Sequence, residues 1–167
     1  QITLRFESTG PILIGGSQGP LETEGGADLV FNRQPVLDWK RRCFVDRPVL
    51  PGSGIRGLIR SRVVHALVAS GRPDQEVQAV VDDIFGSVAG GDGRRGHLRV
   101  KGATLEETSG TVIQHVGIDR LTGGSLRSAL FSEAPIWEEA LTFEVGIHLD
   151  GLATDHLAIL AQAIWDV

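Results

Sequence analysis

The sequence contains no methionine, not even at its first position, and no tyrosine. The missing methionine leads us to expect a processed or partial copy of a longer chain. A single cysteine, Cys43, excludes an internal disulfide and any multi-cysteine zinc site, and fits a reducing cytoplasm. Aromatic residues are confined to six Phe and three Trp, too few for the stacking platform with which many RNA-binding sheets hold bases. No apolar run approaches the roughly 20 residues a membrane helix requires, so no membrane partner is expected. The opening QITLRFESTG lacks the basic-then-apolar pattern of a secretion signal. Lysine is almost absent: Lys40 and Lys101 stand against arginine at the other 14 of 16 cationic positions. Arginine is favoured where planar anions such as phosphates are held bidentately.

What is abundant is glycine, 22 of 167 residues against a usual share of roughly 7%. With 41% hydrophobic and 22% charged residues the balance is that of a globular domain, and we expect one domain over residues 1–167, incomplete at its C-terminus. The net charge of −5 argues against indiscriminate binding of polyanions. The cations are nevertheless clustered. Lys40, Arg41, Arg42, Arg47, Arg56, Arg60 and Arg62 face only Asp46 within 40–62, and Arg94, Arg95, Arg99 and Lys101 face no acid within 94–101. A basic stripe on an acidic chain is a footprint for a nucleic-acid backbone.

Hydrophobic periodicity predicts the framework. Ile2, Leu4 and Phe6 alternate with polar residues and give a half-buried strand over 1–7. Residues 10–26, rich in Gly and Pro, read as a long loop, and 31–50 as a loose hairpin that Pro48 and Pro51 bar from a central position. Ile55, Leu58, Ile59, Val63 and Leu67 predict a helix over 54–70, stopped by Gly71-Arg72-Pro73 and carrying Ser53, Arg56 and Arg60 on another face. A short helix is expected over 74–84, a loop over 86–96, strands over 97–101 and 111–118, and irregular chain over 119–140. Leu141 to Leu149 alternates strictly, and a helix capped by Thr154 follows, with Leu157, Leu160, Ala161 and Ile164 on one side. Strand, helix, strand, strand, helix is a ferredoxin-like α+β fold, the βαββαβ layout of an RNA-recognition motif, without its last strand.

Gly52-Ser53-Gly54-Ile55-Arg56-Gly57 matches G-x-G-x-x-G ahead of a helix, with Asp74 and Glu76 about 20 residues on. The proline-broken CFVDRPVLP before it is no buried parallel strand and no second βαβ unit follows, so a nucleotide-binding enzyme is the weaker reading. The turn retains its physics: a Gly-rich lead into a helix N-terminus presents backbone N–H groups and a positive dipole end to a phosphate.

PVLPGSGIRGLIRSRVV is similar to the "IPGSS-hydrophobic-K/R-G-hydrophobic-R" signature of RAMP-superfamily CRISPR-associated proteins, and more narrowly to the guide-binding backbone subunits of type III effector complexes. Gly15-Gly16, Asp82-Asp83-Ile84-Phe85-Gly86, Gly96-His97-Leu98-Arg99-Val100, the stretch HVGIDRLTGG from His115 to Gly124, and Ala129-Leu130-Phe131-Ser132-Glu133 resemble further family motifs in the family's order. The family's closing Gly-rich, Arg-bearing loop and final strand are not matched. The resemblance implies a subunit that polymerises along a CRISPR guide RNA, pairs it with target RNA, and works with other effector subunits, fused RAMP domains and copies of itself. It implies antiviral defence in the cytoplasm and, in type III complexes, endoribonuclease cleavage of the target by an Asp in the loop after the first strand, with Mg²⁺ bound transiently with the RNA. By position Asp28 matches that catalytic residue, with Asp38 as the fallback. Gly15, Gly16, Ser53, Arg56, Arg60, Arg94, Arg95, His115 and Arg120 are the residues expected to bind RNA. A catalytically inactive, purely structural subunit of the same superfamily is the alternative. Segment 117–133 is expected to protrude as an arm. Trp39, beside Lys40-Arg41-Arg42, is the one aromatic with basic neighbours that reads as exposed.

Overall fold

The computed structural model describes residues 1–15, 27–88, 93–106, 111–137 and 141–167. In chain order the elements are β1 (Ile2–Glu7), β2 (Leu29–Val30), β3 (Arg33–Asp38), β4 (Cys43–Leu50), α1 (Gly52–Ala69), α2 (Asp74–Phe85), β5 (Gly86–Ser87), β6 (Arg94–Arg95), β7 (Leu98–Val100), β8 (Ala103–Thr104), β9 (Ile113–Ile118), β10 (Ser125–Ala134), β11 (Thr142–Leu149) and α3 (Thr154–Trp165). They form two compact units: Gln1–Leu4, Pro51–Ala103 and Glu144–Val167 in the first, Arg5–Leu50 and Thr104–Phe143 in the second.

The first unit is built on a sheet in the order β1–β11–β7, with β11 antiparallel to β7. Strand, helix, strand, strand, helix with the third strand between the first and second is the ferredoxin-like α+β arrangement. Alternation explains the sheet: Val145 and Ile147 are buried while Glu144 is exposed. Ile55, Ile59, Val63 and Leu67 put the core face of α1 against α2, α3 and β7, closed by Val81, Ile84, Leu98, Leu160 and Ala163. Truncating Ile59 or Val63, which are wholly buried, costs about 1–4 kcal/mol through lost burial and the cavity left behind. Two residues expected on core faces, Leu58 and Leu157, are 46% and 40% exposed. Helix α1 ends where Gly71 turns left-handed (φ 75°) and Arg72 N–H reaches back to the Leu67 carbonyl. Thr154 does not cap α3: Ala153 occupies the cap position without a side-chain bond and Thr154 is the first helical residue.

The second unit holds two small sheets, β2–β10–β9 and β3–β4–β8. Two expectations fail in it. Residues 125–134 are not irregular but form β10, antiparallel to β9 and parallel to β2. A register shift between Ser125 and Leu130 breaks the alternation that would have revealed it. Pro48 does lie in a central strand. Val49 N–H bonds the Asn32 carbonyl, which makes Arg33 and Pro48 a pair without mutual hydrogen bonds, so the missing proline N–H costs the β3–β4 ladder nothing. The Pro48 carbonyl accepts from Leu105 N–H on its other side. Phe31, Leu50, Leu105, Ala134 and Ile136 are buried, and Phe6 stacks on Phe143 with ring centroids 5.6 Å apart. The expected loop over 86–96 contains a two-rung ladder, Gly86 opposite Arg95 and Ser87 opposite Arg94, in the first unit. Most of the long loop expected over 10–26 lies outside the described residues.

Candidate nucleic-acid interface

In the first unit the start of α1 lies among open clefts. One of about 750 Å³ is lined by Ser53, Arg56, Gly57, Arg60 and Phe85 among others. A second, about 450 Å³, shares Ser53 and Arg56 and adds Gly52, Arg95, Gly96 and Arg99. A third, about 370 Å³, shares Arg95 and Arg99 and adds His97, Asp150 and Gly151. Shared walls make them one trough bordered by four arginines. The helix end adds to the positive field: α1 has no side-chain cap and no acid in its first turn, so its dipole is not neutralised there.

The glycines of the PGSG turn do different things. A Cβ on Gly52 would stand 2.3 Å from the Val100 carbonyl oxygen, so this glycine lets α1 begin directly against β7. Gly57 has nothing within 4 Å of such a position and leaves part of the trough wall bare. The strand preceding α1 belongs to an antiparallel sheet, which removes the βαβ context a dinucleotide fingerprint needs.

Of the expected RNA-binding residues, Ser53, Arg56, Arg60 and Arg95 come together here. Arg60 and Arg95 are exposed; Arg56 is half-buried, donates from Nη2 to the Phe85 carbonyl, and sits with Cζ 5.8 Å from the Phe85 ring centroid. Its Nε is buried without a partner among the described residues. Arg56 therefore also ties α1 to the end of α2. Arg94 lies 3.2 Å from Asp83 Oδ1, which offsets part of its charge.

Asp83, named above only as part of a family-like motif, is a hub. Its Oδ2 accepts from His156 Nδ1 at 2.8 Å, while Oδ1 lies 3.5 Å from His97 Nε2 and accepts from Arg94. His97 Nδ1 donates to the Asp150 carbonyl. The carboxylate thus joins α2, β6 and α3 on one side of the trough. An Asp near the end of a helix gave no sign of this, because its partners lie 11 to 73 residues away. His148, half-buried on β11 opposite Arg99, is held below its ordinary value, first by burial and then by the Lys101 charge.

The second unit carries the other predicted residues. Asp28 is exposed, just before β2, and its carboxylate is fastened to β10: Oδ2 accepts Ser132 N–H at 2.8 Å and Ser132 Oγ–H at 3.0 Å, while Asp28 N–H donates to Ser132 Oγ. Among the described residues Oδ1 has no partner. His115 stacks on Phe131, centroids 5.0 Å apart, with Nε2 3.2 Å from Glu133 Oε2. Gly15 pairs with Phe31, and a Cβ there would stand 3.3 Å from Leu29 Cδ1. Gly16 lies outside the described residues.

The IDR-x-TGG stretch forms the β9–β10 turn. Asp119 Oδ1 accepts the Leu121 and Thr122 N–H groups, and Gly123 is left-handed at φ 69°. Those bonds, that from Leu121 first, hold the Asp119 carboxyl below its usual range. Arg120 is exposed at this turn and Leu121 is 96% exposed. Among the described residues no three His, Cys, Asp or Glu side chains converge to hold a metal, and no helix is long and apolar enough to cross a membrane.

The family model of the RAMP superfamily matches residues 5–167. Among solved structures, a chain of a Type IV-B CRISPR complex is similar, with a TM-score of 0.62 at 13% sequence identity, over 98% of this chain and 80% of that one. At that identity the likeness speaks for the fold. No curated protein matches in sequence.

Proposed function

The chain belongs to the RAMP superfamily, and from that premise we propose that it is a guide-RNA-binding backbone subunit of an RNA-guided CRISPR effector complex, acting in the cytoplasm in defence against foreign nucleic acid. The observation that carries this reading is the arginine-bordered trough at the uncapped start of α1. Phosphates of a single strand would lie along Arg60, Arg95 and Arg99, with backbone N–H groups and Ser53 at the helix end. Guide RNA, target RNA, further effector subunits and copies of the chain are its proposed partners. Val116, Ile118, Leu121 and Leu130 leave the β9–β10 hairpin with exposed apolar side chains, which supports its use as an arm against a neighbouring copy or duplex.

The motif resemblance supports a type III complex with target cleavage at Asp28; the fold likeness to a chain of a Type IV-B CRISPR complex supports a place in a CRISPR complex and says nothing of cleavage. A strand held with its 2′-hydroxyl aligned on the adjacent phosphate is already oriented for transesterification, and what remains is proton and charge handling. Asp28 Oδ1 could accept that proton. Mg²⁺, if used, would take this one carboxylate together with RNA phosphate oxygens and water, and would supply charge stabilisation. The Ser132 bonds favour the non-cleaving reading in one respect: they fasten the carboxylate to β10 and give it a structural use. The test is the assembled complex incubated with guide-matched RNA, with and without Mg²⁺, using wild type and Asp28→Asn. RNA retained on the chain with cleavage lost in the variant supports the type III reading. Retention without cleavage in either supports the structural one, and a complex that carries no guide RNA on this chain rejects both.

A further inference from the structure

We infer that the β3–β4 turn is a second RNA contact, a finger on which an unstacked base lies against Trp39 while neighbouring cations hold its phosphates; this rests on the RNA-binding reading above. The turn comprises Trp39, Lys40, Arg41 and Arg42, between Asp38 of β3 and Cys43 of β4. Trp39 is 83% exposed and Phe44, paired with Leu37 on the same hairpin end, is 70% exposed. Two aromatic rings so largely in water at one hairpin end form an exposed apolar patch, and three exposed cations beside them supply a chemical reason for it.

The nearest acid does not cancel those cations. Asp38 Oδ1 accepts the Lys40 and Arg41 N–H groups, so the carboxylate shapes the turn, and the Arg41 Nε–Oδ2 separation of 3.7 Å leaves that side chain 72% exposed. Those N–H bonds, that from Arg41 first, draw the Asp38 carboxyl below its usual range. Arg42 is the one non-glycine residue with positive φ (54°) among the described residues. Glycine or asparagine would sit there with less strain, yet the position carries a long cation. The other two tryptophans differ in setting: Trp137 precedes Glu138-Glu139 and Trp165 precedes Asp166. An exposed indole on a fixed turn, flanked by Lys and Arg, is the arrangement that binds single strands by base stacking with little dependence on base identity. An apolar protein partner would have to bury three cations, so charge complementarity selects the polyanion.

The experiment uses the full chain with Trp137→Phe and Trp165→Phe, so that Trp39 alone reports. Its fluorescence is titrated with octauridylate and with an abasic oligomer of equal length, with anisotropy of labelled RNA followed in parallel. Expected are quenching by octauridylate in step with anisotropy, and binding without quenching by the abasic strand. Trp39→Ala in the otherwise natural chain should weaken RNA binding roughly tenfold, within the range for one base–aromatic stack, at unchanged melting temperature. Arg42→Gly should weaken RNA binding without loss of stability. RNA that binds while Trp39 emission and Trp39→Ala affinity stay unchanged overturns the finger and leaves the trough standing. Absence of RNA binding in every variant overturns both. Quenching only by anionic phospholipid vesicles or an acidic peptide assigns the surface to another class of partner and overturns the inference.

Discussion

Gly52 and Gly57 belong to one glycine motif, and their substitution by alanine should act with opposite sign. A methyl at Gly52 meets the Val100 carbonyl oxygen at 2.3 Å and the Val100 carbon and Gly102 nitrogen at 3.0 Å. All three are backbone atoms that cannot swing aside, so either the first turn of α1 or strand β7 must shift. Overpacking of this kind costs about 1–3 kcal/mol. A chain of this size loses about 2–4 °C of melting temperature per kcal/mol, so Gly52→Ala should melt about 4–8 °C lower for a cost near 2 kcal/mol. Gly57 sits inside α1 with nothing within 4 Å of the added Cβ. Its replacement gains about 1 kcal/mol of helix propensity, hence about 2–4 °C. The assay is thermal unfolding by circular dichroism, paired with an RNA titration in which Gly57→Ala stays within about twofold of wild type (about 0.4 kcal/mol) because a methyl does not close a cleft of about 750 Å³. Gly52→Ala melting with wild type, or Gly57→Ala melting below it, would refute the division of roles.

Arg56→Ala should lower stability by about 1–2 kcal/mol in a urea titration, since the Phe85 carbonyl loses a charge-assisted partner. If the chain cleaves, Asp28→Ala should abolish target cleavage in the complex while binding changes by less than about threefold, or about 0.65 kcal/mol; Glu22→Ala and Glu24→Ala are controls that should keep activity. His148, drawn below its ordinary value of 6.5, binds fewer protons folded than unfolded, so its contribution to stability is present above pH 6.5 and is lost as pH falls toward the lowered value. Melting of His148→Gln followed across that range should therefore show weaker acid sensitivity than wild type. Leu121→Asp and Leu130→Asp alter side chains that are 96% and 68% exposed, so they should leave melting unchanged while reducing multimerisation on RNA measured by light scattering.

Much of the ferredoxin-like framework was legible because its elements carry clean periods: 3.6 in α1, two in β1 and β11. What escaped had no such period. In β10 a register shift interrupts the alternation, and Leu130 and Phe131 are adjacent and both exposed, so neither face reads as a core face. Pro48 misled because its missing N–H faces away from β3, and the side on which a proline falls cannot be read from the sequence of one strand. In the candidate site, the clustering of Ser53, Arg56 and Arg60 followed from helical spacing. Arg95 and Arg99 join them through tertiary placement, although Arg99 was counted only as part of a basic stretch. The Asp83 hub and the Asp28–Ser132 bonds link residues 11 to 104 positions apart, a separation at which local pattern carries no information.

The most direct test of phosphate binding in the α1 trough is the salt dependence of RNA affinity. Labelled single-stranded RNA is titrated by anisotropy at several salt concentrations with wild type, Arg60→Ala and Arg95→Ala. Each lost phosphate contact should weaken binding alike for unrelated RNA sequences and flatten the log–log slope by about 0.7. Slopes that stay at the wild-type value in both variants would place the RNA elsewhere on the protein.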